Sequence, residues 1–90
     1  MPENEETREE ERMRISRVML DRRVSLKERG IYMMLNLQPL TVEDIKTCSR
    51  ECKETISTGL KSLISLGYVV KNTERSENGQ FRSFIYDVVK

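Results

Sequence analysis

The side chains in this 90-residue chain that could do chemistry fall into two sets. One is a pair of thiols, Cys48 and Cys52. The other is a run of hydroxyls and cations, Lys53, Ser57, Thr58 and Lys61, spaced so that they share the outer side of a helix. The sequence contains no His, so a closed zinc site around the thiols would have to take its other ligands from carboxylates or a second chain. A disulfide would need a favourable turn and an oxidising compartment that nothing else in the sequence suggests. Cys48 and Cys52 therefore read as small, semi-buried packing residues, and neither metal nor cofactor is expected. The absence of His, of a glycine-rich phosphate loop and of paired carboxylates on an apolar wall argues against an enzyme.

Hydroxyls and ammonium groups on one helix face suit a different task. Short hydroxyl side chains let a helix approach a groove wall closely, and lysines reach phosphates or base edges. Such a helix is expected over residues 52–66, where Ile56, Leu60, Leu63 and Ile64 follow the i, i+4, i+7, i+8 rule for one buried face. Burying them turns Glu54, Ser57, Thr58, Lys61 and Ser65 outward. The same face would also serve as ordinary solvated helix surface. Gly67 is the natural stop.

Upstream, Thr41 caps a short helix with Glu43 and Asp44 in its first turn and Val42, Ile45 and Cys48 on one stripe. Ser49, Arg50 and Glu51 form the turn that follows, leaving Arg50 at the mouth of the longer helix, placed for a phosphate. Earlier still, Ser25 and Glu28 make a capping-box pattern that opens a helix using Leu26, Ile31, Met33, Met34, Leu35 and Leu37. That helix ends before Pro39. Gly30 lies inside it, at a cost of about 1 kcal/mol relative to Ala, which points to a close approach by a neighbour.

After Gly67 the period becomes that of strands. Tyr68-Val69-Val70 and residues 81–89, where Phe84, Tyr86 and Val88 alternate with Ser83, Ile85 and Asp87, flank Asn78-Gly79, a type I′ hairpin signal. Lys71, Arg75 and Arg82 fall on this hairpin, with Asn72, Asn78 and Gln80 near its tip. Arginines there suit a sugar-phosphate backbone or a narrow minor groove, although Glu74 and Glu77 could instead pair with Arg75.

Charge is distributed unevenly. Residues 1–12 carry six Glu against Arg8 and Arg12, a net of −4; the rest carries 14 Lys and Arg against 9 Asp and Glu, a net of +5. The basic part favours a polyanionic partner, and the acidic start reads as a disordered tail or frayed helix. Ile15, Val18 and Leu20 allow a short N-terminal strand. The expected layout is α+β: an acidic tail over 1–12, then a winged helix-turn-helix domain over 13–90, with three helices and a C-terminal β-hairpin wing. No stretch approaches the roughly 18 apolar residues of a membrane span, and the start lacks signal-peptide character, so a cytoplasmic location is expected.

Three stretches carry a family resemblance: LDRRVSLKERGIY from Leu20, ISTGLKSLISLGYVV from Ile56, and ENGQF from Glu77 followed by Tyr86. Together they resemble the winged helix-turn-helix domain at the start of replication initiator and replisome organiser proteins of Gram-positive bacteria, their plasmids and phages. The resemblance spans about residues 17–89 and differs at Cys52, where the family commonly has glycine. It implies double-stranded DNA binding through Lys53, Ser57, Lys61, Lys71, Arg75 and Arg82, in replication initiation or transcription regulation. Other partners are open: a homodimer through the surface carrying Met33 and Met34, or a protein bound by the acidic tail. That tail could also fold back and compete with DNA. A protein-interaction module on the same scaffold is the alternative to DNA binding.

Overall fold

The computed structural model describes residues 5–75, 79 and 81–90, and their side chains apart from those of residues 5–7, 74, 75, 81 and 82. Among them, four helices, α1 (Glu5–Met19), α2 (Leu26–Leu37), α3 (Val42–Thr47) and α4 (Lys53–Ser65), precede two strands, β1 (Val69–Arg75) and β2 (Phe81–Val88). The architecture is α+β, with the strands paired as an antiparallel hairpin.

Local chemistry fixes the helix ends. Ser25 Oγ accepts from the Glu28 N–H at 3.1 Å while the Ser25 N–H donates to Glu28 Oε1 at 2.9 Å, the expected capping box. Thr41 and Asp44 make the same reciprocal pair at 3.1 and 3.0 Å. At the far end of α4, Gly67 takes φ +85°, its N–H donates to the Ile64 carbonyl at 3.0 Å, and the Tyr68 N–H donates to the Leu63 carbonyl at 2.9 Å. This is a Schellman motif, and it turns the chain directly into β1.

Two expectations for the N-terminal region change. No strand forms around Ile15, because α1 runs from Glu5 through Met19 and crosses the boundary expected at residue 12. Its glutamates stand near the positive end of the helix dipole, Arg17 lies in the last turn, and Glu10 precedes Arg14 at i, i+4; these terms support a helix that apolar periodicity alone misses. Ile15, Val18 and Met19 then pack on the core, whereas Leu20 is 80 % exposed. The additional extended segment lies at Leu40 instead. Its N–H donates to the Tyr86 carbonyl at 3.1 Å, and its carbonyl accepts from the Tyr86 N–H at 2.8 Å, an antiparallel bridge onto β2.

The core draws on every element: Val18 from α1; Ile31, Tyr32 and Leu35 from α2; Ile45 from α3; Ile56, Leu60 and Leu63 from α4; and Val69, Tyr86 and Val88 from the hairpin. Leu26 and Leu37, at the two ends of α2, are exposed, and Met34 rather than Met33 packs against the core. The ladder runs in register from Val69↔Val88 to Glu74↔Ser83 and shifts between Glu74 and Arg75.

The close-approach glycine is Gly59, not Gly30. A Cβ on Gly30 would meet nothing within 4 Å, whereas one on Gly59 would lie 2.9 Å from Ile31 Cδ1. Gly59 thus lets α4 sit down on α2. A polar clamp holds the other end of the pair. Asp21 accepts from the Arg23 N–H, Nε and Nη2 at 2.9, 3.0 and 2.7 Å and from the Tyr68 hydroxyl at 2.5 Å, while the Tyr68 ring meets Tyr32 edge-on at 6.4 Å. The hydrogen bonds from Arg23, and then that from Tyr68, hold the Asp21 carboxyl well below its ordinary 3.8.

Gly30→Ala should raise the thermal midpoint, since an exposed helix-interior Gly costs about 1 kcal/mol, roughly 4–8 °C for a domain of this size. Gly59→Ala should not, because Ile31 must move to admit the methyl group. A depressed carboxyl contributes stability above its unfolded value and loses it as pH falls towards its folded one. Asp21→Asn should therefore melt below wild type at neutral pH, with the gap closing in acid below about pH 4 when both are followed by circular dichroism.

Candidate nucleic-acid interface

The α3–α4 pair is built from its caps inward. Cys48 is the C-cap of α3, its N–H donating to the Asp44 and Ile45 carbonyls, and Cys52 is the N-cap of α4. Between the caps stand Ser49, Arg50 and Glu51, the three residues expected in the turn. The Ser49 hydroxyl accepts from the Glu51 N–H at 3.3 Å, and the Glu51 carboxylate pairs with Lys27 at 3.2 Å, tying the turn to the start of α2.

With Ile56 and Leu60 each 1 % and Leu63 0 % exposed, α4 presents its other side to solvent. Arg50 in the turn and Lys53, Thr58 and Lys61 on the helix are exposed, whereas Ser57, expected outward, is half-buried because it stands next to Ile56 and three residues from Leu60 on the helix. Beside Thr58 a shallow notch of about 320 Å³, also lined by Ser25, Lys27, Glu54 and Gly59, separates α4 from the start of α2. Glu54 shares the exposed surface. Its carboxyl is lowered chiefly by a backbone N–H of the first helical turn, with help from Cys52, so it stays ionised at neutral pH.

Acids and bases are evenly matched on this unit. Glu43, Asp44, Glu51 and Glu54 stand against Lys46, Arg50, Lys53 and Lys61, so α3 and α4 with their turn carry no net charge. The hairpin supplies further cations. Lys71 Nζ lies 3.9 Å from the centre of the Phe84 ring, a cation–π contact that fixes the ammonium on an aromatic surface 43 % exposed. Register explains the contact: Lys71 opposes Tyr86, so Phe84 is its diagonal neighbour on the same sheet face. The residue types permit the pair, but only the strand alignment reveals it.

Arg75 and Arg82 belong to β1 and β2, and their side chains lie outside the described residues, as do Asn78 and Gln80 and with them the turn type expected at Asn78-Gly79. Gly79 itself has φ +85°, the left-handed region that such a turn requires.

Both cysteines are exposed and unbridged, not semi-buried; Cys48, expected on the stripe of Val42 and Ile45, leaves it because α3 ends at Thr47 and Cys48 already has non-helical backbone angles, φ −92° and ψ 2°. Cys52 Sγ and Thr55 Oγ1 share a hydrogen bond at 3.2 Å, and this contact is the main cause lowering the Cys52 thiol from its ordinary 9.0. Among the described residues no cluster of three or more His, Cys, Asp or Glu could hold a metal ion, and no helix is long and apolar enough to cross a membrane.

The thiolate is the nucleophile toward iodoacetamide, so Thr55→Ala should slow alkylation of Cys52 at mildly alkaline pH, read by peptide mass mapping. An unchanged rate would show that Thr55 does not activate the thiol. Comparison with protein-family models, curated proteins and solved structures finds no match to this chain.

Proposed function

We propose that this chain is a winged helix-turn-helix domain that binds double-stranded DNA, with α4 in the major groove and the β1–β2 hairpin against the backbone or in the minor groove. The observation that carries the reading is the exposed hydroxyl-and-lysine face of α4 beside a hairpin bearing Lys71, Arg75 and Arg82. Two consecutive helices whose cap residues, Cys48 and Cys52, enclose a turn of three residues support a helix-turn-helix. The isolated bridge at Leu40 supports the reading: from α2 onward the order is helix, bridge, helix, helix, strand, strand, which is compatible with a winged helix preceded by one more helix, α1.

The dimensions agree with this use. A helix with its side chains is about 10–12 Å across and the major groove is about 12 Å wide, so short residues such as Ser57 and Thr58 on the leading face help α4 to seat. Lys53 and Lys61 then reach bases or phosphates, and Arg50 reaches a phosphate at the helix mouth. Glu54 adds an acceptor for the exocyclic amine of cytosine. The resemblance stated above supports a setting in replication initiation or transcription regulation of a bacterial or mobile element. The even charge of α3 and α4 favours a second reading, a protein-interaction module on the same scaffold.

A fluorescence-anisotropy titration with random-sequence duplex at several salt concentrations separates the two. DNA binding predicts that log K falls against log salt by about 0.9 for each phosphate contacted, and that Lys61→Ala and Arg75→Ala each reduce the slope by about 1. No binding at low salt would discard the DNA reading in favour of the protein-interaction one.

A further inference from the structure

An open groove of about 800 Å³ runs between α1, the end of α2 and the C-terminal residues. Tyr32 and Leu35 contribute to its lining, Leu37 and Val89 stand on it 85 % and 38 % exposed, and Met13 of α1 is 60 % exposed along its edge. We propose that a second copy of this chain docks in this groove, its α1 lying antiparallel against the first.

The choice of occupant rests on the order of charges along α1. Glu10, Met13, Arg14 and Arg17 stand at i, i+3, i+4 and i+7, so they form one stripe, and all four line the groove. Read along the helix, the stripe is acidic, then apolar, then basic. Reversed, its two ends complement each other in charge. A two-fold axis passing between Met13 and Arg14 sets Glu10 of each copy opposite Arg17 of the other and each Met13 against the aliphatic stem of the other copy's Arg14, the isologous contact of a cyclic dimer. Parallel alignment would instead oppose like charges.

The body of the protein accounts for only part of this helix. Ile15, Val18 and Met19 pack on the core and Arg14 Nη1 donates to the Tyr32 hydroxyl at 3.4 Å, all in its C-terminal half, while Glu9, Glu10, Arg12 and Met13 face solvent. A helix of 15 residues is only marginal in water by itself, so an intermolecular partner for the exposed half adds to its stability. Two crossing helices bury less than the roughly 800 Å² per partner of a standard interface, so Leu37 and Val89 on the opposite wall must be covered too. The interface is thus small and partly ionic, and its affinity falls in the micromolar range and weakens with salt. The dimer does not depend on DNA binding.

Sedimentation velocity of the full chain tests the proposal. Wild type should shift from one chain to two between about 1 and 100 μM at low salt. Glu10→Arg alone and Arg17→Glu alone should each weaken the dimer at least ~10-fold, because each sets like charges face to face. Both positions are exposed, and circular dichroism checks that the variants remain folded. An equimolar mixture of the two variants should recover the dimer, since each then meets its opposite charges. A wild-type chain that stays single throughout overturns the proposal and assigns the groove to another occupant. Failure of the mixture to recover, with both variants folded, overturns the antiparallel α1 contact.

Discussion

One constraint organises this molecule: a chain of 90 residues supports a single hydrophobic core, and every element must reach it. The stripe of Ile56, Leu60 and Leu63 on α4 is the most completely buried part of that core. Once it points inward, the opposite face of α4 turns to solvent. The exposure of Thr58 and Lys61 follows from burial on the other side and needs no separate device. Gly59 strengthens the effect, because Ile31 of α2 occupies the space a side chain would take and holds α4 at close range.

Much of this was legible in the sequence wherever a feature is local. Ser25 with Glu28, Thr41 and Gly67 carry their structural meaning within three or four residues, and the α4 stripe declares itself over two turns. Most of the candidate face came from the same arithmetic, since fixing Ile56 and Leu60 fixes where Lys53, Thr58 and Lys61 point. Features that depend on a distant neighbour were not legible. The bridge at Leu40 is one residue pair and has no period to detect. Gly30 and Gly59 look alike as sequence, and only the position of Ile31 distinguishes them. The helix over Glu5–Met19 was legible only as the frayed-helix alternative to a disordered tail, because its support is ionic and tertiary, with few apolar positions to repeat. Lys71 over Phe84 required the strand register, and the thiols required knowledge that both cap positions face water.

The clamp at Asp21 has a structural role that complements the apolar core. Arg23 and Tyr68 approach it from opposite directions in sequence, one beside α2 and one at the exit of α4, so a single carboxylate joins the loop before α2 to the base of the hairpin. Its side chain is only 10 % exposed, and hydrogen bonds to the charged form offset much of the cost of desolvating it. The Schellman turn and the clamp act on adjacent residues, Gly67 and Tyr68, which makes the direction in which the chain leaves α4 doubly determined.

The pair of hydrogen bonds between Leu40 and Tyr86 gives the hairpin a fulcrum. On the near side, Val69 and Val88 are rooted in the interior; Lys71 stands level with the bridge, and Asn72, Thr73 and Phe84 lie beyond it. Leu40 is followed at once by Thr41, the N-cap of α3, so the bridge ties β2 to the start of that helix. The base of the hairpin is thereby anchored one residue from the cap of α3.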